Sequence, residues 1–162
     1  GFSINRISGN MSIGGAAGSF KLDVIGAIRC TALTQTSARE FKQDITPLTG
    51  ALESIMKLRG VTYAWNELAP EGVRGERDIG FLADEMNEVL PDIVAKDAGG
   101  KPIGIDYGKV TPVTVEAIKQ LKADVDRKDA RIAELERRLG RIESLLAERE
   151  PIEMDRPMKR QP

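Results

Sequence analysis

Residues 118–146 read IKQLKADVDRKDARIAELERRLGRIESLL, and their apolar positions decide the architecture of the chain. Ile118, Leu121, Val125, Ile132, Leu135, Leu139, Ile142 and Leu146 follow alternating steps of three and four, with Lys128 the single polar interruption. That spacing predicts a long helix with an a/d stripe that packs against partner helices. A helix docked only on its own domain shows a wider apolar face than this. With Ile118 at position a, Arg131 with Glu136 and Arg138 with Glu143 fall at g and the following e, where opposite charges pair between chains. Asp124 and Asp129 do not fit that scheme. Mixed Ile, Val and Leu without Asn at a lean away from a strict dimer, but the seam alone leaves the strand number open.

Working outward, the helix is expected to begin at Tyr107, and residues 107–150 are read as a coiled-coil segment. Beyond Glu150-Pro151, residues 151–162 read as a disordered tail. Residues 37–106 read as a small α+β unit. Thr46 is expected to cap a helix with Pro47 at its first position and Leu48, Leu52, Ile55 and Met56 on one face, closed by Arg59-Gly60. Val61 to Trp65 is strand-like, and Asn66 to Asp78 reads as a loop. Ile79 to Ala83 reads as a short buried strand leading into a helical stretch, Asp84 to Leu90, that Pro91 stops. Ile93–Lys96 and Lys101–Ile105 flank Asp97-Ala98-Gly99-Gly100, a hairpin signal. Glu85 and Glu88 are expected on a solvated face, and Tyr63, Trp65 and Tyr107 in core or subunit contacts.

Residues 1–36 are Gly-rich, with short alternations such as Phe20 to Val24, and read as the end of a β-rich stalk or fibre too small to fold alone. Without an initiator methionine, the chain is expected to be part of a longer one. Aromatic residues make up 4% and charged residues 30%, which favours one compact unit with extensions. Lys and Arg number 24 against 25 Asp and Glu, so no field favours nucleic acid or an anionic membrane as a partner. No apolar run approaches the roughly 20 residues of a membrane-spanning helix. With no histidine and only Cys30, the chain lacks Ser-His-Asp triads, Cys-His dyads, disulfide frameworks and the usual zinc sets, and no metal or cofactor is expected.

Carboxylate, amine and hydroxyl chemistry remains. Ser37-Ala38-Arg39-Glu40-Phe41-Lys42-Gln43-Asp44-Ile45 places a hydroxyl five residues before an amine. A lysine can take a serine proton when burial or a cation lowers its pKa from about 10.4 towards 7, and Arg39 and Phe41 lie close in sequence. Residues five apart sit about 140° apart on a helix and on opposite faces of a strand, so the pair can meet only across a bend. Ser37-x-x-Glu40 is equally a helix capping box, with Lys42 an ordinary surface lysine.

Three blocks carry a wider resemblance. Ser37 to Ile45 is similar to an S-x-R-x-x-K-x-[ND]-I opening, Ile79 to Val94 to a GF-[IL]-A-x-E block ending in P-x-[IL]-V, and Asp106 to Leu121 to a Y-x-x-[LV]-x-P/A-I-K-x-L helix. Together they resemble the intramolecular chaperone auto-processing domain at the C-termini of phage endosialidases, tailspikes and tail fibres. Ser19 to Gly26 is similar to the K-L-x-V-x-G motif that ends fibre regions just ahead of such domains. The resemblance implies a homotrimer that guides folding of the preceding β-rich region of its own polypeptide, in a virion tail or at a bacterial surface, and then releases itself. It implies Ser37 as nucleophile, Lys42 as general base and a cut beside Ser37, with Ser37-Ala38 the favoured bond. Ala38 stands where many members have Asp, and Asp84 where many have Gln. Two other readings remain: a trimeric cap or fibre tip that is never cut, and a coiled-coil adaptor unrelated to folding.

Overall fold

The structure, a computed structural model, describes residues 1–15 and 20–148. It is an α+β chain: short strands and helices followed by one long C-terminal helix. At the N-terminus, β1 (Phe2–Ile4) pairs antiparallel with β2 (Met11–Ile13), which pairs parallel with β3 (Leu22–Val24). The β1–β2 turn is closed by Asn5, whose Oδ1 accepts from the N–H groups of Ile7 and Ser8. Phe2, Ile4, Ile13 and Leu22 are all exposed, so this sheet has almost no core of its own. The expected tail, residues 151–162, lies outside the described residues, as do Ala16 to Ser19.

The body forms where α1 (Ala51–Lys57) docks on α3 (Tyr107–Ala147). Ala51, Val113 and Ala117 are buried at the contact, with Leu52, Ile55 and Leu90 packed around them. Two alanines and a valine let the helix backbones approach closely. The helix does not begin at Thr46-Pro47 as expected. It begins at Ala51 behind Gly50, which has φ 66, and no side chain of its own segment caps it. Gln120 of α3 supplies the missing acceptor, its Oε1 taking the Leu52 N–H at 2.9 Å. The first-turn donor is therefore satisfied from 68 residues away. Leu48 and Met56, expected on the buried face, are exposed.

β4 (Val61–Ala64) pairs antiparallel with β5 (Arg77–Gly80), setting Val61 opposite Gly80. The expected buried strand at Ile79 to Ala83 lies two residues earlier, and Ile79 is 77% exposed because a two-stranded ribbon buries at most one face. Strand β5 and a 3₁₀ turn, Glu71–Val73, occupy part of the expected loop. α2 (Ala83–Val89) buries Met86 to 1% exposure, and Pro91 opens a 3₁₀ turn, Pro91–Ile93. β6 (Val94–Lys96) and β7 (Pro102–Ile105) form the expected hairpin, and α2 packs against β7. Asp97 shapes its turn, with Oδ1 accepting from Gly99 and Lys101 N–H.

α3 runs for 41 residues, about 60 Å. The residues that meet α1, Val113, Ala117 and Gln120, lie on its c/g face, about a quarter turn from the a/d stripe. Ile118, Leu121, Val125, Ile132, Leu135, Leu139, Ile142 and Leu146 stay 42–60% exposed. Among the described residues, Arg131, Glu136, Arg138 and Glu143 make no ion pair, whereas Asp124–Arg127, Lys122–Asp126 and Glu134–Arg137 pair along the helix.

Two local contacts are directly testable. Gln120→Ala removes the side-chain acceptor that Gln120 places on α1's first turn and is expected to cost about 1 kcal/mol in urea unfolding. Gln120→Glu, which keeps an acceptor, should recover most of that loss. A Cβ on Gly80 would lie 2.6 Å from the Tyr107 hydroxyl, so Gly80→Ala is expected to lower stability by about 1–3 kcal/mol. An unchanged midpoint for Gly80→Ala would show that Tyr107 does not sit there.

Candidate active site

Ser37 follows a long exposed segment and precedes a single 3₁₀ turn, Arg39–Phe41. Ala38 occupies the cap position in extended conformation, so the chain enters the turn abruptly. The Ala38 carbonyl accepts from Phe41 N–H at 3.2 Å and the Arg39 carbonyl from Lys42 N–H at 3.0 Å. Lys42 then leaves in extended geometry, and Asp44, with φ 52, turns the chain again in a left-handed conformation that Asp tolerates better than most residues.

This bend is what lets residues five apart meet. Lys42 Nζ donates to Ser37 Oγ at 2.7 Å. The capping-box alternative is not realised, because no side chain caps the 3₁₀ turn and the serine oxygen is engaged by Lys42 instead. Ser37 and Lys42 are both exposed, as is every residue from Gly26 to Gly50. Arg39 and Phe41, the expected cation and apolar cover, are exposed too, Phe41 by 70%. Residues Ala38 to Glu40 and Lys42 to Ile45 border an open concavity beside the pair.

Behind the turn, the body is tied together by the second and third sequence blocks. Tyr107, the first residue of α3, stacks on Phe81 at 6.2 Å, and its hydroxyl accepts the Phe81 N–H at 3.1 Å. Gly80 makes room for that hydroxyl. Tyr63 meets Trp65 edge-on at 5.2 Å. Burial, together with the Asp78 carboxylate and the nearby Tyr107, holds the Tyr63 phenol above its ordinary pKa. Tyr63 is half-buried, while Trp65 and Tyr107 keep an exposed face.

Glu85 keeps an exposed side chain, as expected, and has a partner there. It pairs with Arg59 through two contacts, linking α2 to the end of α1, and this raises the Arg59 guanidinium pKa, chiefly through the hydrogen bond. Glu88 is exposed. Exposed ion pairs contribute little, whereas truncating the buried Met86 to Ala would cost about 2–5 kcal/mol, so burial dominates in holding α2.

One contact escaped the sequence reading. The Gln35 side chain lies against Gly108, where a Cβ would meet Gln35 Nε2 and Oε1 at 3.5 Å. A glycine at the second position of a long helix was the available signal. Among the described residues, no cluster of three or more acidic, His or Cys side chains is arranged to hold a metal ion, and no helix is long and apolar enough to cross a membrane.

Residues 37–95 match the family model Peptidase_S74, described as chaperone of endosialidase. No curated protein matches the chain. The match opens on Ser37, includes Lys42 and the Gly80-Phe81 block, and ends at Ala95, before the Tyr107 block that packs onto Phe81. Over residues 37–95, then, the chain is similar to the chaperone-of-endosialidase family, in support of the resemblance carried by its three sequence blocks.

Proposed function

We propose that this chain is an intramolecular chaperone that trimerises through α3, assists folding of the β-rich region ahead of it, and releases itself by cleavage beside Ser37. The observation that carries the reading is the 2.7 Å contact between Lys42 Nζ and Ser37 Oγ at the opening of the family match. In the reactive form the amine is neutral and the same contact runs in reverse, with the serine hydroxyl donating to Lys42. Oγ bonds to the scissile carbonyl carbon, the C–N bond breaks, and the proton held by Lys42 passes to the leaving amine. Water then hydrolyses the ester and frees the serine. The reaction occurs once per chain, with no external substrate.

Ring size separates the two candidate bonds. Within one chain, attack of Ser37 Oγ on its own carbonyl closes a strained four-membered ring, while attack on the Thr36 carbonyl closes a five-membered one. A cut at Ser37-Ala38 therefore requires the serine of a neighbouring copy. A product beginning at Ala38 marks attack between chains, whereas one beginning at Ser37 is compatible with attack within a chain. The Ser37-Ala38 bond is the proposed one, in keeping with a trimer.

Assembly also supplies what the single chain lacks. A lysine acts as a base only where burial or a cation disfavours its charged form, and the Ser37–Lys42 pair is exposed here. Cover from neighbouring copies, brought in by the a/d stripe, would exclude water from the pair. The proposed location is a virion tail or bacterial surface, where the trimeric helper separates once the β-rich region has folded.

Intact-mass measurement after assembly is expected to show two pieces for wild type. Ser37→Ala and Lys42→Ala should stay whole and oligomeric, with cutting reduced by about a thousandfold or more. If wild type stays whole like Ser37→Ala, the protein is the uncut cap. Leu135→Asp, at a d position, should yield monomers in sedimentation and abolish cutting although the dyad residues are untouched. Cutting by monomeric Leu135→Asp at the wild-type rate would remove assembly from the mechanism.

A further inference from the structure

Among the described residues, no hydrogen bond or ion pair ties Gly26 to Thr36 to the rest of the chain. The turn that brings Ser37 to Lys42 is equally local, its hydrogen bonds running only between Ser37 and Lys42. A site built on such a segment is internally shaped but not anchored. Gln35 provides an anchor: both polar atoms of its side-chain amide lie 3.5 Å from where a Cβ on Gly108 would stand. A Cβ there would stand in ordinary van der Waals contact with both atoms, and a larger side chain would take the space they occupy. Gly108 is the second residue of α3, next to Asp106, whose Oδ1 borders the same spot at 3.2 Å. Two extended residues span about 7 Å, so seating Gln35 confines Ser37 to a small region beside the start of α3.

We propose that Gln35 is a positioning residue for Ser37, seated on Gly108 of α3, so that the helix that assembles the chains also places the nucleophile. This rests on the reading of Ser37 and Lys42 as a cleavage dyad. Gln35 touches no reacting atom. It acts by limiting where the Ser37 hydroxyl can be when a carbonyl is presented, and a misplacement of about 1 Å can slow a positioned reaction by about a hundredfold.

A double-mutant cycle on cutting rate in the assembled full chain tests this. Gln35→Ala removes the anchor, and Gly108→Leu fills its seat. Each is expected to slow cutting by about tenfold, and the double variant should be no slower than the slower single, because both remove one contact. The pH profile of cutting, the oligomer mass and the urea midpoint of Gln35→Ala should match wild type, since an exposed linker residue is altered. Cutting by Gln35→Ala at the wild-type rate overturns the inference, as does a double variant slowed by the product of the singles. In either case wild type still cuts, so the dyad reading stands. A wild type that stays whole overturns the dyad reading and this inference with it.

Discussion

The contact between α1 and the c/g face of α3 is the constraint on which the rest of the architecture depends. Ala51, Val113 and Ala117 bring the two helices close, and Gln120 closes the contact by taking a first-turn N–H of α1. Using that face leaves the a/d stripe, a quarter turn away, uncovered along the helix. One helix therefore organises its own domain and still offers an apolar seam. Had α1 docked on a/d positions, that part of the stripe would have been covered within the chain. Tyr107 extends the same logic upstream: it falls at a d position and at the same time fixes Phe81 and requires a glycine at 80.

Much of this was legible in the sequence because it is written in local periodicity. The steps from Ile118 to Leu146 need no tertiary information, and neither does the turn at Asp97 to Gly100, where Asp97 and a glycine with φ 84 make the hairpin by themselves. The start of α1 was misread for the opposite reason. Thr46-Pro47 has the chemistry of a helix start, but a local cap competes with whatever the fold offers, and Gln120 offers an acceptor where the alanine contact requires the helix to begin. Ile79 misled in the same way: an apolar run of strand-forming residues carries no mark of whether a second layer will cover it. Glu85 looked like any acidic helix residue, and its partner Arg59 is 26 positions away.

The site divides along the same line. That Ser37 and Lys42 meet is a local matter, decided by one 3₁₀ turn; spacing alone left the capping box open, and the family resemblance was what pointed to the pair. The capping box, equally compatible with Ser37-x-x-Glu40, loses because Ala38 and not Ser37 takes the cap position of the turn, and Lys42 engages the serine oxygen. The Gln35–Gly108 contact joins residues 73 positions apart, from Gln35 to Gly108, and nothing in either neighbourhood announces the other.

Exposure of the pair gives the proposed reaction an order of events. A serine and a lysine held together by a short exposed turn make a hydrogen bond, and the proposed reaction asks in addition that water be excluded from the pair. On the proposed reading, the cover that excludes water and the carbonyl presented to Oγ both arrive with neighbouring copies approaching along the a/d stripe. A chain that cut itself before that step would discard its helper while the β-rich region, with Phe2, Ile4, Ile13 and Leu22 exposed, was still unpartnered. On the same reading, placing the pair on a segment without a core of its own, directly after that region, would make completion of the assembly the condition for chemistry.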